Sequence, residues 1–142
     1  MAIVRTANIK AEIGLQQEIY SDFLDNLDID PIKQDMVCNV NEEAVKSSIK
    51  NLLLTNRGER LFNPDLGSDI RALLFENSSP ALESVLGDLI KSTINNYEPR
   101  ANVLDVTVDS NNDADMLVAT ITFSVINRTE PITLELILNR IR

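Results

Sequence analysis

Three short clusters in this sequence carry residue types able to do chemistry. Glu59, Glu76 and Glu98 each sit near a loop, and a pair of carboxylates is the minimum equipment for glycoside hydrolysis. The run Arg57-Gly58-Glu59-Arg60 places two guanidiniums around one carboxylate. That arrangement serves either as an ion-pair clamp of its own loop or as a fork for a partner's carboxylate. The run Tyr97-Glu98-Pro99-Arg100 is the third cluster, in which proline restricts the directions that Glu98 and Arg100 take. It reads either as a helix stop with an ion pair or as a rigid polar knob for docking. A chain with 22 acidic residues offers carboxylate pairs by chance, and no spacing here sets an acid apart from a nucleophile. A solvated or ion-paired role is the default for these groups.

Other chemistries are excluded by composition. The chain has no histidine, so Ser-His-Asp and Cys-His nucleophile pairs cannot form. Its single cysteine, Cys38, makes neither an internal disulfide nor a Cys/His zinc site; it reads as a small core residue. The Gly-x-x-x-x-Gly-Lys pattern of a phosphate loop is absent. No metal and no cofactor is expected. A net charge of −9 argues against nucleic acid as a partner, since phosphate neutralisation needs basic surface. No apolar run approaches the roughly 20 residues of a membrane span. Arg5, Asn8, Lys10 and Glu12 interrupt the apolar start that a signal peptide requires, and a lone cysteine suits a reducing compartment.

These clusters need elements to position them. A length of 142 residues suits one domain. The division expected is an N-terminal segment, 1–40, as an arm or helix, followed by a single unit over 41–142. In residues 15–30, Ile19, Phe23 and Leu27 recur every fourth position; this is one face of a helix or, alternatively, an extended arm that orders on a partner. Asp30-Pro31 marks a break, and residues 34–40 suit a short strand. Residues 42–55 predict a helix with Ala44, Val45, Ile49, Leu52 and Leu53 as its apolar stripe. Glu42 and Glu43 favour its first turn, Asn39 or Asn41 is placed to cap it, and Gly58 to end it. A short helix is expected over 69–75. Ser79-Pro80 starts a longer one over 80–97.

Beyond Arg100 the apolar period changes from that of a helix to that of a strand. Leu104, Val106 and Val108 alternate with polar residues. Leu117 to Val125 and Ile132 to Leu138 do the same after turns at 110–115 and 127–131. The fold class expected is α+β: three helices followed by a C-terminal antiparallel β-meander, with an irregular N-terminal segment. The last strand, carrying Leu134, Leu136 and Leu138, is expected to run to residue 141 with no element after it, so its outer edge is open unless an N-terminal strand pairs there. Such an edge is a liability or a docking surface for strand addition.

The ordered motifs Asn51 to Arg60, Asn63-Pro64-Asp65-Leu66-Gly67-Ser68, Leu74-Phe75-Glu76 and Tyr97-Glu98-Pro99-Arg100 resemble the baseplate wedge family of contractile-tailed bacteriophages. The likeness covers about residues 40–142, and the type VI secretion baseplate has a related component. The resemblance implies a structural subunit, not an enzyme, placed in the tail baseplate of a virion and assembled in the host cytoplasm. Its partners would be other wedge subunits, including a helical core bundle, and the first ring of tail sheath. Glu98, Pro99 and Arg100 would contact the core bundle. Arg57, Glu59 and Arg60 would clamp their loop or meet a partner. Leu134, Leu136 and Leu138 would lie in the sheet that faces the sheath. Members of the family are at times labelled lysozyme-like, so an acidic peptidoglycan hydrolase is the alternative.

Overall fold

The computed structural model describes residues 19–139 apart from residues 25, 33, 77, 78, 112–115, 127 and 129. Its elements run β1 (Ser21–Phe23), β2 (Cys38–Val40), α1 (Glu42–Leu54), α2 (Ile70–Leu73), α3 (Pro80–Tyr97), β3 (Ala101–Asn111), β4 (Met116–Val125) and β5 (Pro131–Asn139). This is the expected mixture of three helices and a C-terminal three-stranded antiparallel meander, ordered β3-β4-β5. The expectation for residues 1–15 and for the end of the last strand at 141–142 lies outside the described residues.

The segment before the helices differs from the helical reading. Residues 21–23 are extended and pair antiparallel with 38–40. Ile19, Phe23 and Leu27, the supposed helical face, stay exposed. Leu27 takes a positive φ of 52°, which breaks any helical run through it. What holds this small sheet is non-local. Asn41 donates its N–H to the Tyr20 carbonyl at 2.7 Å, and its side-chain oxygen accepts from the Ile19 N–H at 2.9 Å. Asn41 therefore stands at the start of α1 but its side chain does not cap that helix. Cys38 lies exposed on β2, not in the core, because β2 is short and edge-like.

Helix α1 buries the apolar stripe its spacing dictates: Ala44, Val45, Ile49, Leu52 and Leu53. It ends at Leu54, where Thr55 turns to an extended conformation. Gly58 does adopt a left-handed φ of 81°, but in the following turn, where its N–H reaches the Pro64 carbonyl at 2.8 Å. Helix α2 is one turn, shorter than expected. Helix α3 begins as predicted, with the Ser79 hydroxyl accepting from the Leu82 N–H at 3.2 Å and Pro80 in its first turn. Leu82, Leu86, Ile90 and Ile94 are buried against the sheet and α1.

In the sheet, Leu117, Ala119, Ile121, Phe123 and Val125 of β4 are all buried, and their intervening neighbours face a largely polar outer surface, as suits an antiparallel sheet with one covered side. The pairing of β3 with β4 shifts between Val103 and Asp105. That bulge turns Val103 inward and leaves Leu104 half exposed, against the simple alternation that put Leu104 on the inner face. Val106 and Val108 then pack on the core as expected.

Candidate functional site

The end of α3 and the start of β3 meet in a tight turn, with the Ala101 N–H returning to the Glu98 carbonyl at 3.1 Å. This turn makes Glu98 and Arg100 neighbours in space. Arg100 Nε donates to Glu98 Oε1 at 2.6 Å, and Nη2 donates to Oε2 at 2.8 Å. The fork is bidentate and so fixes both direction and distance. A third donor comes from α1: the Ser48 hydroxyl reaches Glu98 Oε2 at 2.5 Å. Glu98 is buried, with 4% of its surface exposed.

Burial alone would push the Glu98 carboxyl up, but the hydrogen bonds from Arg100 and Ser48 and the Arg100 charge outweigh it, and the net shift is downward. Arg100 moves up for the reciprocal reason, hydrogen bonding to Glu98, helped by the field of Asp22. Its guanidinium also lies over the Tyr20 ring, 5.4 Å from the centroid. The ion pair thus joins α1, the α3–β3 turn and the residue before β1. Pro99 between the pair is exposed and Arg100 partly so. The ion pair that the sequence allowed is therefore present, and Pro99 and part of Arg100 lie at the surface beside it. Ser48 and Tyr20 carried no sequence signal for this role, since neither neighbours the pair in the chain.

The Arg57-Gly58-Glu59-Arg60 run does not form one ion-pair network. Arg57 pairs with Asp69 across the loop at 3.3 Å. Glu59 Oε2 accepts from the Asn56 N–H at 2.8 Å. Arg60 is exposed and has no acidic partner among the described residues. The loop they start is held at its base by backbone and side-chain bonds. Ser68 donates its N–H to the Thr55 carbonyl at 2.9 Å and its hydroxyl to the Leu53 carbonyl at 2.6 Å. Tyr97 donates its hydroxyl to the Asp65 carbonyl at 2.7 Å, tying the loop to the helix end that carries Glu98.

The last strand presents a different surface. Among the described residues β5 pairs with β4 alone. Leu136 and Leu138 are buried, and Leu134 packs against the core. Their side chains therefore face inward, and any contact made along this strand's outer edge runs through its backbone. Beside its end lies an apolar groove lined by Leu53, Leu54, Ile70, Leu74, Ile137 and Leu138, with Arg71 also on its wall.

Glu59 and Glu98 are both engaged within the chain. A general acid needs a raised pKa, whereas Glu98 is lowered and gripped by Arg100; Glu59 is bound to its own loop. Among the described residues no group of three His, Cys, Asp or Glu side chains is placed to hold a metal ion, and no helix is long and apolar enough to cross a membrane.

Against known proteins, the family described as baseplate wedge protein gp25 matches residues 39–130. Over 110 residues the chain is 39% identical to baseplate wedge protein gp25 of Enterobacteria phage T4, covering 74% of this chain and 83% of that protein. Among solved structures it is similar to a candidate tail lysozyme from Geobacter sulfurreducens, at 27% identity and a TM-score of 0.70, with 75% of this chain and 97% of that chain covered. It is also similar to a chain of the anti-feeding prophage baseplate, at 26% identity and a TM-score of 0.67, covering 77% of this chain and 87% of that one. A chain of the type VI secretion baseplate complex, at 20% identity and a TM-score of 0.56, covers 66% of this chain and 88% of its own length and shares the fold.

Proposed function

This chain belongs to the gp25 family of baseplate wedge proteins, and from that premise we propose that it is a non-enzymatic structural subunit of a contractile-tail baseplate that docks on a helical core bundle and offers a sheet edge to the first ring of tail sheath. The observation that carries the reading is the outer edge of β5, which has no strand beside it among the described residues. An edge of this kind accepts an extended segment by backbone hydrogen bonding. The apolar groove at its end, which includes Ile137, gives such a segment somewhere to place a side chain.

Docking on the core bundle falls to the α3–β3 turn. Glu98 is too buried to meet a partner; its part is to orient Arg100. Pro99 and the outer side of Arg100 are the surface presented. The subunit's place is the virion baseplate, assembled in the host cytoplasm.

The test is incorporation. Glu98→Ala with Arg100→Ala should fold but enter baseplates poorly, measured by copies per purified baseplate. Unchanged incorporation rejects the turn as the docking surface. A proline within 134–138, at a residue whose N–H points away from β4, should leave incorporation intact and block growth of sheath. Normal sheath on those baseplates rejects strand addition. The hydrolase alternative makes the opposite forecast, clearing of peptidoglycan by the pure protein.

A further inference from the structure

The loop between α1 and α2 carries two apolar side chains with no protein contact to speak of. Leu61 is 93% exposed and Phe62 102%. Adjacent bulky apolar residues left wholly in water are costly unless something covers them. They do not hang from a slack segment. Gly58 N–H bonds the Pro64 carbonyl across the tip, Glu59 holds the Asn56 N–H, Arg57 spans to Asp69, and Tyr97 and Ser68 fasten the returning strand of the loop. A tip built this way is already in its presenting conformation, so binding loses little loop entropy.

The chemistry of the tip states what it fits. Phenylalanine and arginine are enriched at the buried centres of protein interfaces. Arg60 lies next to the apolar pair and, among the described residues, has no acidic partner, while the loop's own acid Glu59 is already engaged. We infer that Arg60, Leu61 and Phe62 form an anchor that inserts into an apolar pocket rimmed by carboxylates on a neighbouring protein subunit. Two other occupants fit less well. A second copy of this chain offers the groove beside β5, but Arg71 on its wall would face Arg60 with like charge. An anionic lipid surface would repel a chain of net charge −9. The inference rests on the baseplate reading only for which neighbours supply the pocket.

The experiment measures binding of the full-length chain to wedge subassemblies purified without it, by sedimentation. The variants are Leu61→Ser with Phe62→Ser, Arg60→Glu and Arg60→Lys, each checked for an unchanged melting curve. The double serine variant and Arg60→Glu should each bind about tenfold more weakly or worse, and Arg60→Lys should retain most of the affinity. Equal binding by the double serine variant overturns the anchor. Weak binding by that variant with full binding by Arg60→Glu overturns the carboxylate rim. A wild-type chain that does not bind at all overturns the baseplate reading and the anchor together. Two controls name the rivals: wild-type binding to phosphatidylglycerol vesicles, or a wild-type dimer, either one abolished by the double serine variant, overturns the protein pocket in favour of lipid or of a second copy.

Discussion

Arg100 holds both carboxylate oxygens of Glu98 across a single proline, and the acid is the more deeply buried of the two, with 5% of its side chain exposed against 32% for the arginine. This asymmetry decides what each deletion does. Removing the arginine strands a buried carboxylate, whereas removing the acid leaves a guanidinium that is able to turn to water. Arg100→Ala should therefore cost about 3 kcal/mol and Glu98→Gln about 1 kcal/mol, read from urea unfolding. The reverse order would mean that Arg100 is held mainly by the Tyr20 ring.

The same pair sets a pH dependence. The folded-state pKa of Glu98 is depressed, so its contribution is fully present above the unfolded carboxylate value of about 4.3. It is lost as the pH falls through the lower folded value. Wild type and Glu98→Gln compared by thermal melts from neutral to acid should converge below about pH 4.3. A gap that widens on acidification would contradict the assignment.

Much of this architecture is legible from apolar spacing, and the exceptions share a cause. Helices α1 and α3 and the strands β4 and β5 each repeat an apolar period long enough to declare itself. The β1–β2 pair has three residues a side, too few for a period, and depends on Asn41 bonds to residues 21 and 22 positions away. Leu104 departs from alternation because one bulged residue reverses the faces of β3 before it. At the site, the Glu98–Arg100 pair was foreseeable from two residues of separation. Its burial was not, because the third partner, Ser48, lies 50 residues earlier. The exposed Leu61 and Phe62 were likewise invisible: apolar residues in a loop look the same on paper whether they fold back or point out.

The two left-handed glycines of the loop should respond very differently to a methyl group. At Gly58, with φ 81°, an added Cβ meets nothing within 4 Å, so Gly58→Ala costs only the backbone penalty of about 1 kcal/mol. At Gly67, with φ 124°, the same atom would stand 2.5 Å from the Thr55 carbonyl oxygen, which already accepts from Ser68. Backbone has nowhere to retreat there without breaking that bond. Gly67→Ala should lose about 3 kcal/mol, and calorimetric melts of the two variants would separate them.

Thr93 offers the opposite sign. It is 2% exposed on the core side of α3, and its hydroxyl is the buried side-chain oxygen without a hydrogen-bond partner among the described residues. A buried hydroxyl in that state has lost its water and gained nothing in return. Valine keeps the shape and the branching at Cβ, so it fits the same space while removing the polar atom, and its helix propensity is close to that of threonine. Thr93→Val should therefore stabilise the chain by about 1 kcal/mol, visible as a higher urea midpoint with an unchanged slope. A loss of stability would mean that the hydroxyl bonds within the helix, to the carbonyl one turn back. Thr93→Ser distinguishes the two: it keeps the oxygen and removes the methyl, so an orphaned hydroxyl makes it the less stable of the pair, and a helix-bonded one makes it the more stable.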